Sequence, residues 1–477
     1  MASDHFWREI LLLLLVWQLI GSIGLWQTVW KYEQQAKKRR PERKKRAKRS
    51  PEEFQGLTKK PDCELCQGDQ EQETGSGREA PPKLSQKRGR PRQVDSSGQY
   101  CPNLSCAYYG WLKRGNIRAN GHPGGGEWRQ FHCSGCDTYF LETKGTLFYG
   151  KRLATQLMLW AVAAMAEGLG PRAVGRVFAI EPETALAWLV AASQQLALFS
   201  AYQMRELQLE QVQLDELYAR ISTPAIAEGS QTKAERRSSA WLWTALDPVS
   251  KLWLTLVVGP RSLACAQQLV HQVEQMLAPG CVPLFVTDGL RHYQTALLTH
   301  FGQWLPRHNN QGRRLKPRWL PLPELDYAQL IKKRRRRRLV GISRRVIFGS
   351  LERIKLRLAA HGWQINTAFI ERLNLNIRQH VSGLGRRVLR LAKSSAGLRQ
   401  QTLLYQSYYN FCLVHASLRR PLGQPQPSKG PASLKKWQPC SPAMAAGLTD
   451  RVWTLRELLL FRVPPWPQPV AASRADD

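Results

Sequence analysis

Acidic residues are scarce in this chain. Its 477 residues include 36 Asp and Glu against 70 Lys and Arg, a formal net charge of +34. The excess comes in blocks, so it reads as a surface for a polyanion, nucleic acid first, rather than as a merely solvated basic face. No small-residue cleavage site follows the N-terminal apolar run, which argues against a removed signal peptide. No internal repeat is present, which sets aside solenoid architectures. The ten cysteines do not read as a disulfide framework. Six come early as close pairs, Cys63/Cys66, Cys101/Cys106 and Cys133/Cys136, while Cys265, Cys281, Cys412 and Cys440 are scattered. Close pairs in a large basic chain read as metal ligands rather than disulfides, with Cys63/Cys66 either half of a second zinc site or without a role, and the pattern fits a reducing cytoplasm. Hydrophobic residues make up 43%, enough for at least one sizeable core, and the length suits two or three folded units with linkers.

Residues 10–30 are nearly all apolar and long enough to cross a bilayer. Lys31 and the basic stretch 37–40 follow, so a spanning helix would leave the rest of the chain on the cytoplasmic side, anchored to the inner face of the membrane. The other readings of segment 1–32 are a helix that packs on a partner and a mis-assigned start. Residues 33–98 read as an unstructured basic linker. It carries a lone Cys63-Glu-Leu-Cys66 pair and Lys87-Arg-Gly-Arg-Pro-Arg92, which is similar to an AT-hook. There Arg88, Arg90 and Arg92 would enter a narrow A·T minor groove and the glycine would allow close approach.

Within 99–146, Cys101-x4-Cys106 and Cys133-x2-Cys136 flank a glycine-rich hairpin. Four thiolates from two knuckles suit a tetrahedral structural Zn²⁺ with no open position, so the segment reads as a zinc ribbon, without need of His122 or His132. Trp111, Lys113, Arg114, Arg118 and Arg129 would give it a basic, aromatic surface for DNA backbone. In 147–200, Leu153, Leu157, Trp160, Ala161 and Ala164 recur at helical spacing, a Gly-Leu-Gly-Pro turn follows, and a short helix carries Arg172 and Arg176 before a third with Leu186 and Leu189. This is a helix-turn-helix pattern, with a plain helical hairpin as the alternative.

From 207 onward strands appear. Segments 240–246 and 252–258 read as a hairpin across Asp247-Pro-Val-Ser250, 262–277 as an amphipathic helix and 282–286 as a short strand. Segment 303–346 reads as a basic, loop-like insertion containing Arg334, Arg335 and Arg336, and the Pro-rich 421–477 as a peripheral tail. Three acids stand out: Asp215 in the first strand, Asp288 just past the short strand, and Glu371 on a helix. Such acids can meet on one side of a sheet, and hard oxygen ligands suit a pair of Mg²⁺ or Mn²⁺ ions for phosphodiester chemistry. Ile370, Leu373, Ile377 and Leu384 form that helix's buried stripe, with Glu371, Asn374 and Arg378 in a row beside it as metal ligand, amide and phosphate-binding cation. Strand alternation puts Glu216 on the face opposite Asp215.

This order of parts, with Val-Thr-Asp288-Gly, Ile-Glu371-Arg-Leu-Asn and then Tyr408-Tyr-Asn-Phe411 and His415, resembles bacterial insertion-sequence transposases of the DDE type, the small kind with an N-terminal zinc ribbon. The likeness covers roughly residues 100–421. It implies a multidomain α/β chain whose catalytic domain (207–420) is ribonuclease H-like, with a mixed sheet and flanking helices. It further implies strand cleavage and transfer at terminal inverted repeats, Asp215, Asp288 and Glu371 as metal ligands, DNA as partner, and a homo-oligomer. The chain departs from the family in its N-terminal run, its linker and its arginine-rich stretch. A non-catalytic or membrane-tethered DNA-binding protein derived from a transposase is the alternative, and a nuclease that cuts without joining is a third.

Overall fold

The computed structural model describes residues 94–222, 237–311, 313–336, 338–385, 392–427 and 434–466, all within the unit Glu79–Asp477. The apolar run 10–30, the Cys63/Cys66 pair and the hook-like Arg88, Arg90 and Arg92 lie outside the described residues.

The first layer is a small antiparallel sheet of β1 (Ile117–Ala119), β2 (Gln130–Cys133) and β3 (Tyr139–Leu141). Three helices follow: α1 (Thr155–Ala166), α2 (Pro171–Phe178) and α3 (Pro182–Gln203). In α1 the buried side carries Met158, Leu159, Ala161, Val162 and Met165, whereas Leu153 and Trp160 of the expected stripe are exposed. Almost every residue after Gln156 in α1 is apolar, so periodicity alone had no polar face to mark. By length and composition α3 could cross a membrane, yet Ala185, Trp188, Leu189, Ala192, Leu196 and Phe199 are buried in a protein core.

The main sheet begins with β4 (Gln211–Ser222), β5 (Arg237–Leu246) and β6 (Trp253–Gly259), an antiparallel meander. Asp247 makes the turn after β5 by accepting from the backbone of Val249 and Ser250. Helix α4 (Leu263–Glu274), capped by the Ser262 hydroxyl, leads to β7 (Leu284–Thr287), which pairs parallel to β4. Then come α5 (Arg291–His300), a separate hairpin of β8 (Gly302–His308) and β9 (Arg314–Pro321), and β10 (Tyr327–Arg335), which pairs parallel to β7 and antiparallel to β11 (Arg338–Phe348). The sheet is mixed and six-stranded, in the order β11-β10-β7-β4-β5-β6. After α6 (Leu351–Ala359), α7 (Ala368–His380) and α8 (Ser395–Phe411) there is a hairpin of β12 (Arg420–Pro427) and β13 (Leu434–Gln438), then α9 (Pro442–Ala445) and α10 (Leu455–Leu460).

Strand alternation supplies both faces of the sheet. Val212, Leu214, Trp243, Phe285 and Tyr327 pack on α4 and α5 through Leu269, Val270, Tyr293 and Leu297. Leu217, Leu242 and Trp253 pack on α7 and α8 through Ile370, Leu373, Ile377, Tyr405 and Tyr409. Together these make an α/β unit with helices on both faces, an arrangement compatible with a ribonuclease H-like fold.

Two expectations are corrected. Segment 303–346 is not loop-like but four strands, two of which, β10 and β11, belong to the main sheet, with β10 inside it. Tyr327–Leu330 is buried, and the strand start is anchored by Asp326, which accepts from Arg353 Nε at 2.8 Å and Arg357 Nη1 at 3.0 Å on α6. Gly349 passes so close that a Cβ there would sit 2.0 Å from Asp326 Oδ1, at a φ of +82°. Beyond Lys332 the β10–β11 ribbon is solvent-exposed on both faces and held by its backbone ladder, so the sequence shows no apolar alternation. Nor is the 421–477 tail peripheral. Leu458 and Leu459 are fully buried, and Gln195 on α3 donates to the carbonyls of Leu459 and Phe461. Arg462, also buried, donates to the Lys144 carbonyl and to Gln99 Oε1, tying the tail to the segments on either side of the first sheet. One short apolar run among prolines was too little sequence to reveal that burial.

Candidate active site and metal centres

The parallel register of β4 and β7 builds the site. It pairs Gln211 through Leu214 with Leu284 through Thr287 and then stops, so Asp215 is the next residue along β4 and Asp288 the first residue past the end of β7. Beyond that end the strand edge opens, and Glu216, from the other face, reaches the same space. Carboxylate oxygens of Asp215, Glu216 and Asp288 lie within 4.8 Å of one another. Glu216 was expected on the opposite face; the alternation holds, but the end of pairing lets its longer side chain turn toward Asp288. Its carboxylate accepts from Arg261 Nε at 3.0 Å and from Tyr293 Oη at 3.1 Å.

Helix α7 brings the third acid. Gln213, buried on β4, donates to the Asn366 carbonyl and accepts from the Ile370 amide. Two residues on, Asp215 Oδ2 accepts from Asn374 Nδ2 at 2.7 Å. Two strand residues advance about 6.6 Å and four helical residues about 6 Å, so strand and helix run in step and two glutamine and asparagine bridges fix their register. Glu371 lies between those bridges. Its Oε1 accepts from Thr367 Oγ1 at 2.8 Å and pairs with Lys332 Nζ on β10. Asp215, Asp288 and Glu371 line one cavity of about 270 Å³, together with Gly289, Leu330, Ile331, Lys332 and Thr367.

The crowding of acids has an electrostatic cost. Burial, then the charges of Glu216, Asp288 and Glu371, push Asp215 up to about 7. Burial and Asp288 likewise raise Glu216, against the opposing pull of Arg261. Burial holds the Tyr293 hydroxyl well above its ordinary value, so it stays a donor to Glu216. A cluster of hard oxygens whose carboxyl resists ionisation fits a divalent cation, because a bound cation would remove that repulsion.

Other expected site residues fall elsewhere. Asn374, expected to contact DNA, is buried and its amide donates to Asp215 Oδ2. Arg378, on the same helix as Glu371 and Asn374, donates to the Leu384 carbonyl just past the end of α7. Arg334, Arg335 and Arg336 are exposed at the tip of the β10–β11 hairpin. At about 3.3 Å per strand residue they lie beyond the cavity rim, and Lys332 occupies the place beside the acids. Arg172 and Arg176 are exposed on α2. In the Tyr408–Phe411 segment, Asn410 exchanges hydrogen bonds with the backbone of Trp253, pinning α8 to β6. Lys332, Thr367 and Arg261 went unnoticed in the sequence because their roles depend on packing between distant segments.

The four early cysteines Cys101, Cys106, Cys133 and Cys136 also converge, with Sγ atoms within 4.8 Å of one another. Cys101 and Cys136 are 3.6 Å apart and Cys106 and Cys133 3.9 Å. Zn–S bonds of about 2.3 Å in a tetrahedron give edges of about 3.8 Å, so the set could hold one soft ion. Asn116 Nδ2 and the Tyr108 amide donate to Cys133 and Cys106 at 3.2 and 3.4 Å, as the partners of a thiolate would. His132 is turned to Asp137 and His122 to the Gly126 carbonyl.

No family model and no curated protein matches the chain. Among solved structures it is similar to the Mos1 Strand Transfer Complex and the Mos1 transposase paired-end complex with left transposon end, at 11% identity and a TM-score of 0.13 for each. The match spans 31% and 32% of this chain and only 55% and 58% of those chains.

Proposed function

We propose that the chain is a DNA transposase of the DDE type, cutting and joining DNA strands from a ribonuclease H-like catalytic domain. The observation that carries this reading is the meeting of Asp215 from within β4, Asp288 just past the end of β7 and Glu371 from α7 on one open cavity. The meander β4–β6 followed by the parallel β7 and β10 supports the fold assignment. Asp215 and Asp288 would hold Mg²⁺ or Mn²⁺ with Glu371 completing the set, and Glu216 stands close enough to Asp288 to assist. When bound, such ions supply Lewis-acid activation of the attacking oxygen and charge neutralisation at the leaving oxygen. Asn374 orients the Asp215 carboxylate, and Lys332 places a cation where a phosphate would enter.

The same reading takes the four-cysteine cluster as a structural zinc ribbon and α1–α3 as a helix-turn-helix presenting Arg172 and Arg176 to a duplex. Bringing two element ends together calls for a homo-oligomer. The place of work is the cytoplasm, on DNA, with residues 10–30 as the candidate anchor to the inner face of the membrane.

The test uses full-length protein, DNA carrying the inverted repeats that flank its gene, and Mg²⁺. Wild type nicks the ends and transfers the freed strand to target DNA, whereas Asp288→Ala loses nicking by a factor on the order of 10³ while still binding the ends. Equal nicking by both proteins removes Asp288 from the mechanism. Binding without metal-dependent cutting by wild type leaves the regulatory reading, and cutting without transfer leaves the nuclease.

A further inference from the structure

Helices α4 and α5 lie side by side on the sheet face opposite α7. His271 and Glu274 stand one turn apart on α4, and His300 is the last residue of α5. His300 Nδ1 is 2.8 Å from Glu274 Oε2, and His271 Nδ1 is 3.5 Å from the same oxygen. A ligand atom from each of the three lies within 4.8 Å of the other two, and the imidazole centroids are 5.2 Å apart. Simple pairing of Glu274 needs one histidine, and His300 already provides it. The second ring, on a side chain that is 53% exposed, could sit elsewhere in solvent but converges on the same oxygen.

We propose that His271, Glu274 and His300 form a transition-metal site, of the zinc class, separate from both the carboxylate cavity and the four cysteines. Two imidazole nitrogens and one carboxylate are the donor set of first-row ions such as Zn²⁺, not of Mg²⁺. Ligand bonds of about 2.0–2.1 Å in a tetrahedron place donors about 3.4 Å apart, and the observed 2.8 and 3.5 Å bracket that spacing. Three protein ligands and a partly exposed setting leave one position for solvent or an incoming group. Such an ion would clamp α4 to α5. Arg261 precedes the α4 cap and Tyr293 lies on α5, so the clamped helices are the ones that hold Glu216. The site stands whatever reaction the cavity performs.

Full-length protein is equilibrated with buffered Zn²⁺ and its zinc content measured against His271→Ala and His300→Ala. Each variant should hold one zinc fewer per chain than wild type and lose the rise in Tm that zinc gives. With Co²⁺, the equivalent lost should show visible bands without thiolate charge transfer, which separates it from the cysteine cluster. His271 is half-exposed, so its variant folds and carries the decision even if His300→Ala does not. His271→Cys should restore the lost equivalent and add a thiolate band. Equal zinc content and affinity in wild type and His271→Ala overturns the site.

Discussion

At Asp215, burial and three neighbouring carboxylates raise the pKa from 3.8 to about 7. Between those values the folded chain holds a proton that the unfolded chain has released. Stability from this group is therefore full below about pH 4 and is lost as pH rises toward 7. Three pKa units correspond to about 4 kcal/mol, and the solvent-open cavity should halve that. In metal-free protein, Asp215→Asn should raise stability at pH 8 by about 2 kcal/mol and flatten the loss between pH 5 and 8, read by thermal melts across pH; a variant with the wild-type slope contradicts the raised pKa. Lys332 offers a second test. Its ammonium pairs with Glu371 and competes with any cation there. One unit charge at such range is worth about 1 kcal/mol when partly screened, so Lys332→Ala should bind Mn²⁺ about fivefold more tightly by EPR titration. Weaker binding would mean that the lysine organises the cavity instead.

Among elements, the β10–β11 hairpin joins two functions in one strand. Its buried half, Tyr327–Leu330, belongs to the sheet, Lys332 reaches the cavity, and Arg334–Arg336 form the exposed tip. Each tip arginine that neutralises a phosphate releases counterions, so replacing all three with alanine should weaken DNA binding at every sequence and lower the salt slope by about 0.9 per lost contact. Filter binding across a salt series measures this, and an unchanged slope would place the tip off the DNA. Helix α7 was legible beforehand, since Ile370, Leu373 and Ile377 recur at helical spacing and are all buried. The hairpin was not, because an exposed ladder is held by backbone hydrogen bonds that no side-chain pattern reports.

Across the molecule, the C-terminal segment closes the helical layer and meets the chain at Tyr100, ahead of the first sheet. Leu459 is fully buried beside Leu196, Phe199 and Leu404, and Tyr100 Oη donates to the Val463 carbonyl. Leu459→Ala should cost about 2–4 kcal/mol, read by urea unfolding, and truncation before α10 should leave the helical core exposed and the protein insoluble. A fully stable Leu459→Ala would mean that the tail only rests on the surface.

Sequence by itself determined the local facts: paired cysteines at knuckle spacing, the β5–β6 hairpin around Asp247, the apolar stripe of α7, and three acids on separate elements, in a strand, past a strand end and on a helix. Each is written in neighbouring residues, through turn chemistry or periodicity. Only the tertiary structure decided who meets whom. The end of β4–β7 pairing drew Glu216 to Asp288, the matched rises of β4 and α7 gave Asn374 to Asp215, and the ribbon of β10 set Lys332 against Glu371. Those contacts join residues far apart in the chain, and their geometry depends on strand register and packing, which composition and spacing do not encode.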